Sequence, residues 1–150
     1  MELEREWVVG FTDGKGCFSV GIYPHPEMTA GYQVLPEFRI VQHQRDVQVL
    51  YALKRFFKCG VVRKNNEDRL EFRIRKFNCL MKLVNFFERH PLKTKKQVDF
   101  KKFARIIRLM ERKEHLNKNG LVRIVKIVMT MNTSDHERQS RILRKLTECG

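Results

Sequence analysis

The stretch Gly10-Phe11-Thr12-Asp13-Gly14-Lys15-Gly16-Cys17-Phe18 constrains the fold more than any other part of this 150-residue chain. It closes an apolar helical run that begins at Trp7, and its glycines at positions 10 and 14 stand four apart. On a helix these two share a face, and a face without side chains lets a second backbone approach closely. From Cys17 the pattern switches to the every-second-residue alternation of a strand. A helix must therefore hand over almost directly to a strand, with a helix–helix seam just before the junction. An acidic residue at the mouth of such a helix pair is a natural place for a divalent cation. The residue just before Gly16 is instead Lys15.

A formal charge of +14 and a pI near 10.0 point to a polyanionic partner, meaning nucleic acid. Eleven Phe and a hydrophobic content of 42% exclude a disordered basic tail. The length fits one domain over residues 1–150 with a real core. No apolar run reaches the ~18 residues of a membrane span, and the acidic start Met1-Glu2-Leu3-Glu4 is no secretory or transit signal. The four cysteines, Cys17, Cys59, Cys79 and Cys149, include no C-x-x-C pair. They read as reduced thiols with packing roles in an intracellular, reducing compartment, not as a zinc ribbon or a disulfide framework. His25, His43, His90, His115 and His136 show no ligand spacing either.

Along the chain, residues 3–13 read as a helix and residues 17–23 and 33–42 as strands. Residues 45–58 carry a helical stripe of Val49, Leu50, Leu53, Phe56 and Phe57, which Gly60 ends. Residues 61–64 and 69–75 form a hairpin around the turn-rich tetrad Asn65-Asn66-Glu67-Asp68. Helices follow at 78–89, after residues 93–96, and at 121–131, the last set off by Asn119-Gly120. Thr133 and Ser134 are candidate caps of a final helix with the stripe Ile142, Leu143 and Leu146. Two α-β-β units give an α+β fold: one four-stranded antiparallel sheet backed by helices, with extra helices at the C-terminal end.

The open face of that sheet carries Ser19, Tyr23, His25, Gln33, Glu37, Arg39, Arg63, Asn65, Arg69, Glu71, Arg73 and Arg75. Arg, Gln, Asn and Glu are the side chains that read base edges in the major groove, and a two-stranded ribbon fits that groove, which is ~12 Å wide. Duplex DNA is thus the expected partner in preference to RNA.

The run Trp7-Val8-Val9-Gly10-Phe11-Thr12-Asp13-Gly14-Lys15-Gly16-Cys17-Phe18 and the α-β-β-α-β-β-α order through about Phe103 resemble the LAGLIDADG homing endonuclease family. That resemblance implies an intron- or intein-encoded DNA endonuclease acting on long pseudo-palindromic sites. It makes the host compartment an organelle, chloroplast or mitochondrion, or a prokaryotic cytoplasm. With one motif copy it implies a homodimer whose seam holds Trp7, Gly10, Phe11 and Gly14. It implies Mg2+ or another divalent cation held by a carboxylate before the last motif glycine, where this chain has Lys15. An ammonium cannot ligate a hard cation, so cleavage is expected to be lost or impaired.

By the same resemblance, Gln42 takes the place of a water-organising residue. Lys95 takes that of a lysine near the scissile phosphate, with Lys93 and Lys96 as phosphate-neutralising neighbours or one-residue alternatives. The competing reading is a module that binds without cutting: a maturase-like RNA cofactor or a DNA-binding regulator. A basic ribosome-associated protein is the third, disfavoured by the seam glycines and the long apolar core.

Overall fold

The computed structural model describes residues 1–131 and 135–148. The elements run α1 (Arg5–Lys15), β1 (Gly16–Pro24), β2 (Tyr32–His43), α2 (Val47–Phe57), β3 (Val61–Asn66), β4 (Arg69–Ile74) and α3 (Phe77–Arg89). They continue with α4 (Lys96–Glu111), α5 (Lys118–Val128) and α6 (His136–Glu148). The four strands form one sheet in the order β1-β2-β4-β3, and β4 pairs antiparallel with both β2 and β3. The α+β class and the strand count are those expected from the α-β-β repetition. The chain divides into two compact units, one of Met1–Phe18 with Glu37–Gln97, the other of Ser19–Pro36 with Val98–Gly150.

The first unit is built on an aromatic core. Phe38 is fully buried and meets the rings of Phe18, Phe72 and Phe87 at centroid distances of 5.1, 6.4 and 6.2 Å. Leu50, Leu53, Leu80, Leu83 and Val84 close it from the helices, each wholly out of water. Burying side chains of this size contributes ~1.5–3 kcal/mol apiece. At the α1–β1 junction a Cβ on Gly16 would lie 2.7 Å from Thr12 Cγ2 and 2.9 Å from Thr12 O. The direct hand-over from helix to strand thus requires glycine there.

In the first unit three local expectations change. The tetrad at 65–68 is not a four-residue turn: β3 runs to Asn66 with a register shift between Lys64 and Asn66, and Glu67 takes φ 37°. The bulge absorbs the extra residue and tightens the turn. Residues 44–46 start as a 3-10 turn, not as α-helix, because the His43 ring accepts from the Arg45 N–H at 3.1 Å. Cys59 and Cys79 are not free thiols. They form a disulfide with Cα atoms 5.8 Å apart. The β3–β4 hairpin carries the chain out and back, so residues separated by 20 positions meet, which local cysteine spacing cannot reveal. Cys17 is free and half-buried, while Cys149 lies outside the described residues.

In the second unit Phe100, Phe103, Ile106 and Ile107 of α4 and Leu121, Ile124, Val125 and Val128 of α5 are buried. Asn119-Gly120 does not separate α4 from α5. It lies in the first turn of α5, which Asn117 caps by accepting from the Gly120 N–H at 2.7 Å. A Cβ on Gly120 would collide with the Glu114 carbonyl, so this glycine serves close packing. Asp135 caps α6, its side chain accepting from the Arg138 N–H at 3.1 Å. The expected caps Thr133 and Ser134 lie outside the described residues.

Candidate nucleic-acid interface

In the first unit, strand alternation sends Phe38, Ile40, Phe72 and Ile74 into the core. The opposite face of β2 and β4 then carries Glu37, Arg39, Glu71 and Arg73. Antiparallel register sets Arg39 directly across from Arg73, and Arg63 of β3 across from Glu71. Like charges facing each other across a ladder are destabilising on their own. Burial, then the neighbouring Arg75 and Arg63, push the Arg73 guanidinium below its ordinary value, against the opposing pull of Glu71 and Glu37. A polyanion laid on this face relieves that repulsion.

The two acidic side chains of the face are already engaged. Glu37 accepts from Arg75 Nε at 2.6 Å, and Glu71 accepts from Asn65 Nδ2 at 3.0 Å. Glu71 is only 6% exposed and holds Asn65. Arg63, Asn65 and Arg69 are exposed on the hairpin, and Arg75 is exposed just past the end of β4. In the second unit Ser19 and Gln33 are half-buried on β1 and β2, and Tyr23 is 44% exposed. His25 lies beyond β1 in the turn, not on the sheet, and its ring accepts from the Glu27 N–H at 3.2 Å.

The end of α1 is tied to the basic segment. Asp13 Oδ2 accepts from the Lys93 N–H at 2.7 Å, while Oδ1 accepts from the Thr94 N–H at 3.1 Å and the Thr94 hydroxyl at 2.7 Å. Gln97 Oε1 accepts from the Leu92 N–H at 3.1 Å and fastens the same segment from the other end. Lys93 and Lys95 are exposed, and half-buried Lys96 opens α4. The Asp13 tether leaves no local signature in the sequence, because Asp13 and Thr94 lie 81 positions apart.

Desolvation raises the Asp13 carboxyl, but the bonds from Lys93 and Thr94 and the charge of Lys96 outweigh it and hold it below its ordinary value of 3.8. Its contribution to stability is therefore complete above that value and lost as pH falls through the lowered one. Asp13→Asn is expected to cost ~1 kcal/mol of unfolding free energy at neutral pH. In urea titrations across a pH series, the two proteins should converge in strong acid.

Lys15 is the last, exposed residue of α1, and half-buried Gln42 is the penultimate residue of β2, its amide donating to Asp46 Oδ2 at 3.4 Å. The Lys15 side chain does not fit a divalent cation. Position 15 offers an ammonium, and both oxygens of Asp13 are engaged by donors from the 93–94 segment. Among the described residues, no group of three or more His, Cys, Asp and Glu is gathered as a metal site. On α1 the expected seam is open: nothing lies within 4 Å of a Cβ built on Gly10 or Gly14. Trp7, 43% exposed, stacks on Phe11 at 4.6 Å. A depression of about 330 Å³ lies beside Gly10, lined among others by Arg5, Val9 and Arg89.

The sequence pattern that defines LAGLIDADG endonucleases matches residues 8–107. The chain belongs to the LAGLIDADG endonuclease family. Its structure superposes on that of the homing endonuclease I-TnaI with a TM-score of 0.95 and 64% identity, covering 97% of this chain and 99% of that one. It superposes on I-SmaMI, a LAGLIDADG homing endonuclease bound to cleaved DNA, with a TM-score of 0.92 and 29% identity. That match covers 97% of this chain and 49% of I-SmaMI. A probable intron-encoded endonuclease of Neurospora crassa is 31% identical over 123 residues, 81% of this chain. The chain spans about a quarter of the length of such intron-encoded relatives, 26% in that case. LAGLIDADG nucleases generally use divalent metals.

Proposed function

We propose that this LAGLIDADG chain pairs with a second copy and reads a long duplex DNA site through two four-stranded sheets, with cleavage lost or impaired at Lys15. The observation that carries the reading is the opposed Arg39–Arg73 pair on the open sheet face, flanked by Arg63 and Arg75. The two superpositions support the pairing. One solved endonuclease chain matches this chain end to end, while I-SmaMI is twice as long and matches it over one half. Two copies then make up the two halves of a long site. The intron-encoded relatives support a host intron in an organelle.

In this reading the lysines of segment 93–96 neutralise phosphates, and Lys95 stabilises charge at the scissile phosphate. Gln42 orders water beside it. Mg2+ would supply Lewis-acid polarisation and an activated water in the family's phosphodiester hydrolysis. The Lys15 ammonium does not fit it, and for that reason a non-cleaving module, a maturase-like RNA cofactor or a DNA-binding regulator, is the second reading.

The test is selection of bound duplexes from a randomised library. Arg39→Ala and Arg73→Ala should each cost ~1–3 kcal/mol and relax preference at one position per half-site. Lys93→Ala and Lys96→Ala should weaken all sequences alike and lower the salt slope by about one each. If both arginine variants keep the wild-type profile, the sheet is not the reading surface. Tighter binding of folded RNA than of duplex DNA in filter assays would favour the maturase-like reading.

A further inference from the structure

Helix α6 brings an arginine to the outer strand of the sheet, and nothing in the family chemistry above uses it. The Asp135 side chain accepts from the Arg138 N–H, and the Asp135 carbonyl accepts from the Gln139 N–H at 3.0 Å, which fixes the first turn of α6. Ile142 and Leu146, one and two turns on, are 6% and 7% exposed, so the helix is anchored on its apolar stripe. From that anchored turn, Arg138 Nη2 donates to the Ile22 carbonyl at 3.1 Å. β1 is an edge strand, one side of whose backbone has no strand partner. The guanidinium carbon also stands over the Tyr23 ring, 4.5 Å from its centroid. Such a contact is attractive even at an exposed site and grows stronger as water is excluded.

The ring is confined from a second direction. A Cβ on Gly21 would lie 2.5 Å from Tyr23 Cε2, 2.7 Å from Oη and 2.9 Å from Cζ. Tyr23 thus folds back along its own strand onto a position where only glycine leaves room. Arg141, three residues further along α6, instead pairs with Glu137 at 3.5 Å on an exposed face. Strand alternation puts Ser19, Gly21 and Tyr23 opposite the buried Val20 and Ile22. Tyr23 therefore belongs to the open face, 44% exposed, with its orientation set by two contacts instead of by solvent.

We propose that Arg138 is a positioning residue for base readout: with Gly21 it clamps Tyr23 in the one orientation that reads DNA at the outer strand. The proposal rests on the DNA-reading function above. A tyrosine free to rotate would contact many sequences weakly. A clamped ring presents its edge and hydroxyl at a fixed place, which converts contact into discrimination.

The experiment is base-preference profiling of the full-length protein on duplexes randomised one half-site position at a time. Tyr23→Ala should lower discrimination about tenfold at one or two adjacent positions. Arg138→Gln should lower it at the same positions, and the double variant should be no worse than the more affected single one. Arg138→Lys should restore part of the preference. Gly21→Ala displaces the ring without touching α6 and should reproduce the same local loss, which guards against a folding defect in the Arg138 variants. Arg141→Ala should leave the profile unchanged. A uniform loss of affinity in Arg138→Gln with an unaltered profile would make Arg138 a plain phosphate contact and overturn the proposal. So would a Gly21→Ala profile identical to wild type. A wild-type protein that binds all duplexes alike would instead overturn the DNA-reading function itself.

Discussion

Lys15→Glu is expected to raise magnesium-dependent double-strand cleavage by at least about a thousandfold over the Lys15 protein, with little change in DNA affinity. The expectation is electrostatic. Lys15 is the exposed last residue of α1, immediately before the glycine that closes the family motif. An ammonium there attracts phosphates and repels a hard cation, and a carboxylate does the reverse. The nearest alternative in sequence, Asp13, already accepts from three donors of residues 93 and 94 and holds the basic segment. One substitution therefore changes the ligand set without disturbing the tether that holds the basic segment. The measurement is incubation of each protein with its bound duplex and magnesium, followed by separation of nicked and cut products. Efficient cutting by the Lys15 protein would show that another group meets the cation. Intact binding without cutting by the glutamate variant would show that the site is degenerate beyond this position.

The sequence made the skeleton of this site legible for physical reasons. Period-two alternation in β1, β2 and β4 identified the buried Phe18, Phe38, Ile40, Phe72 and Ile74, and by subtraction the open face. The Gly10–Gly14 spacing identified a helix face with no side chains, and that face is open in the fold. What stayed hidden is what depends on contacts between distant residues. Glu71 reads as one more polar side chain on an alternating strand, but Asn65 and the neighbouring strands leave it 6% exposed. Cys59 and Cys79 carry no local signature, and only the return of the hairpin joins them. Arg138 has no distinguishing pattern around it in the sequence. Its contact with Ile22 spans 116 positions, and no periodicity carries that information.

Gly14→Leu is expected to leave a folded protein that has lost its partner. Within one copy, a Cβ at Gly14 meets nothing within 4 Å, so the leucine fits the monomer. Gly14 lies in the last turn of α1, so leucine there should stabilise the helix by less than the ~0.5–1 kcal/mol of an interior position. In a symmetric seam the same side chain intrudes twice, once from each copy. At ~1–3 kcal/mol of overpacking per intrusion, the pair weakens by ~2–6 kcal/mol, between about 30-fold and 10⁴-fold in dissociation constant. The opposite signs make the experiment discriminating: the thermal midpoint of the variant monomer should hold or rise while sedimentation shows the dimer gone. Gly16→Leu supplies the contrast, since its Cβ would press on Thr12 O at 2.9 Å and the fold itself should fail. A seam elsewhere would leave Gly14→Leu dimeric. A wild-type chain that sediments as a monomer both free and on DNA would mean that α1 pairs with no second copy, and that the exposed Trp7–Phe11 stack beside it serves some other surface.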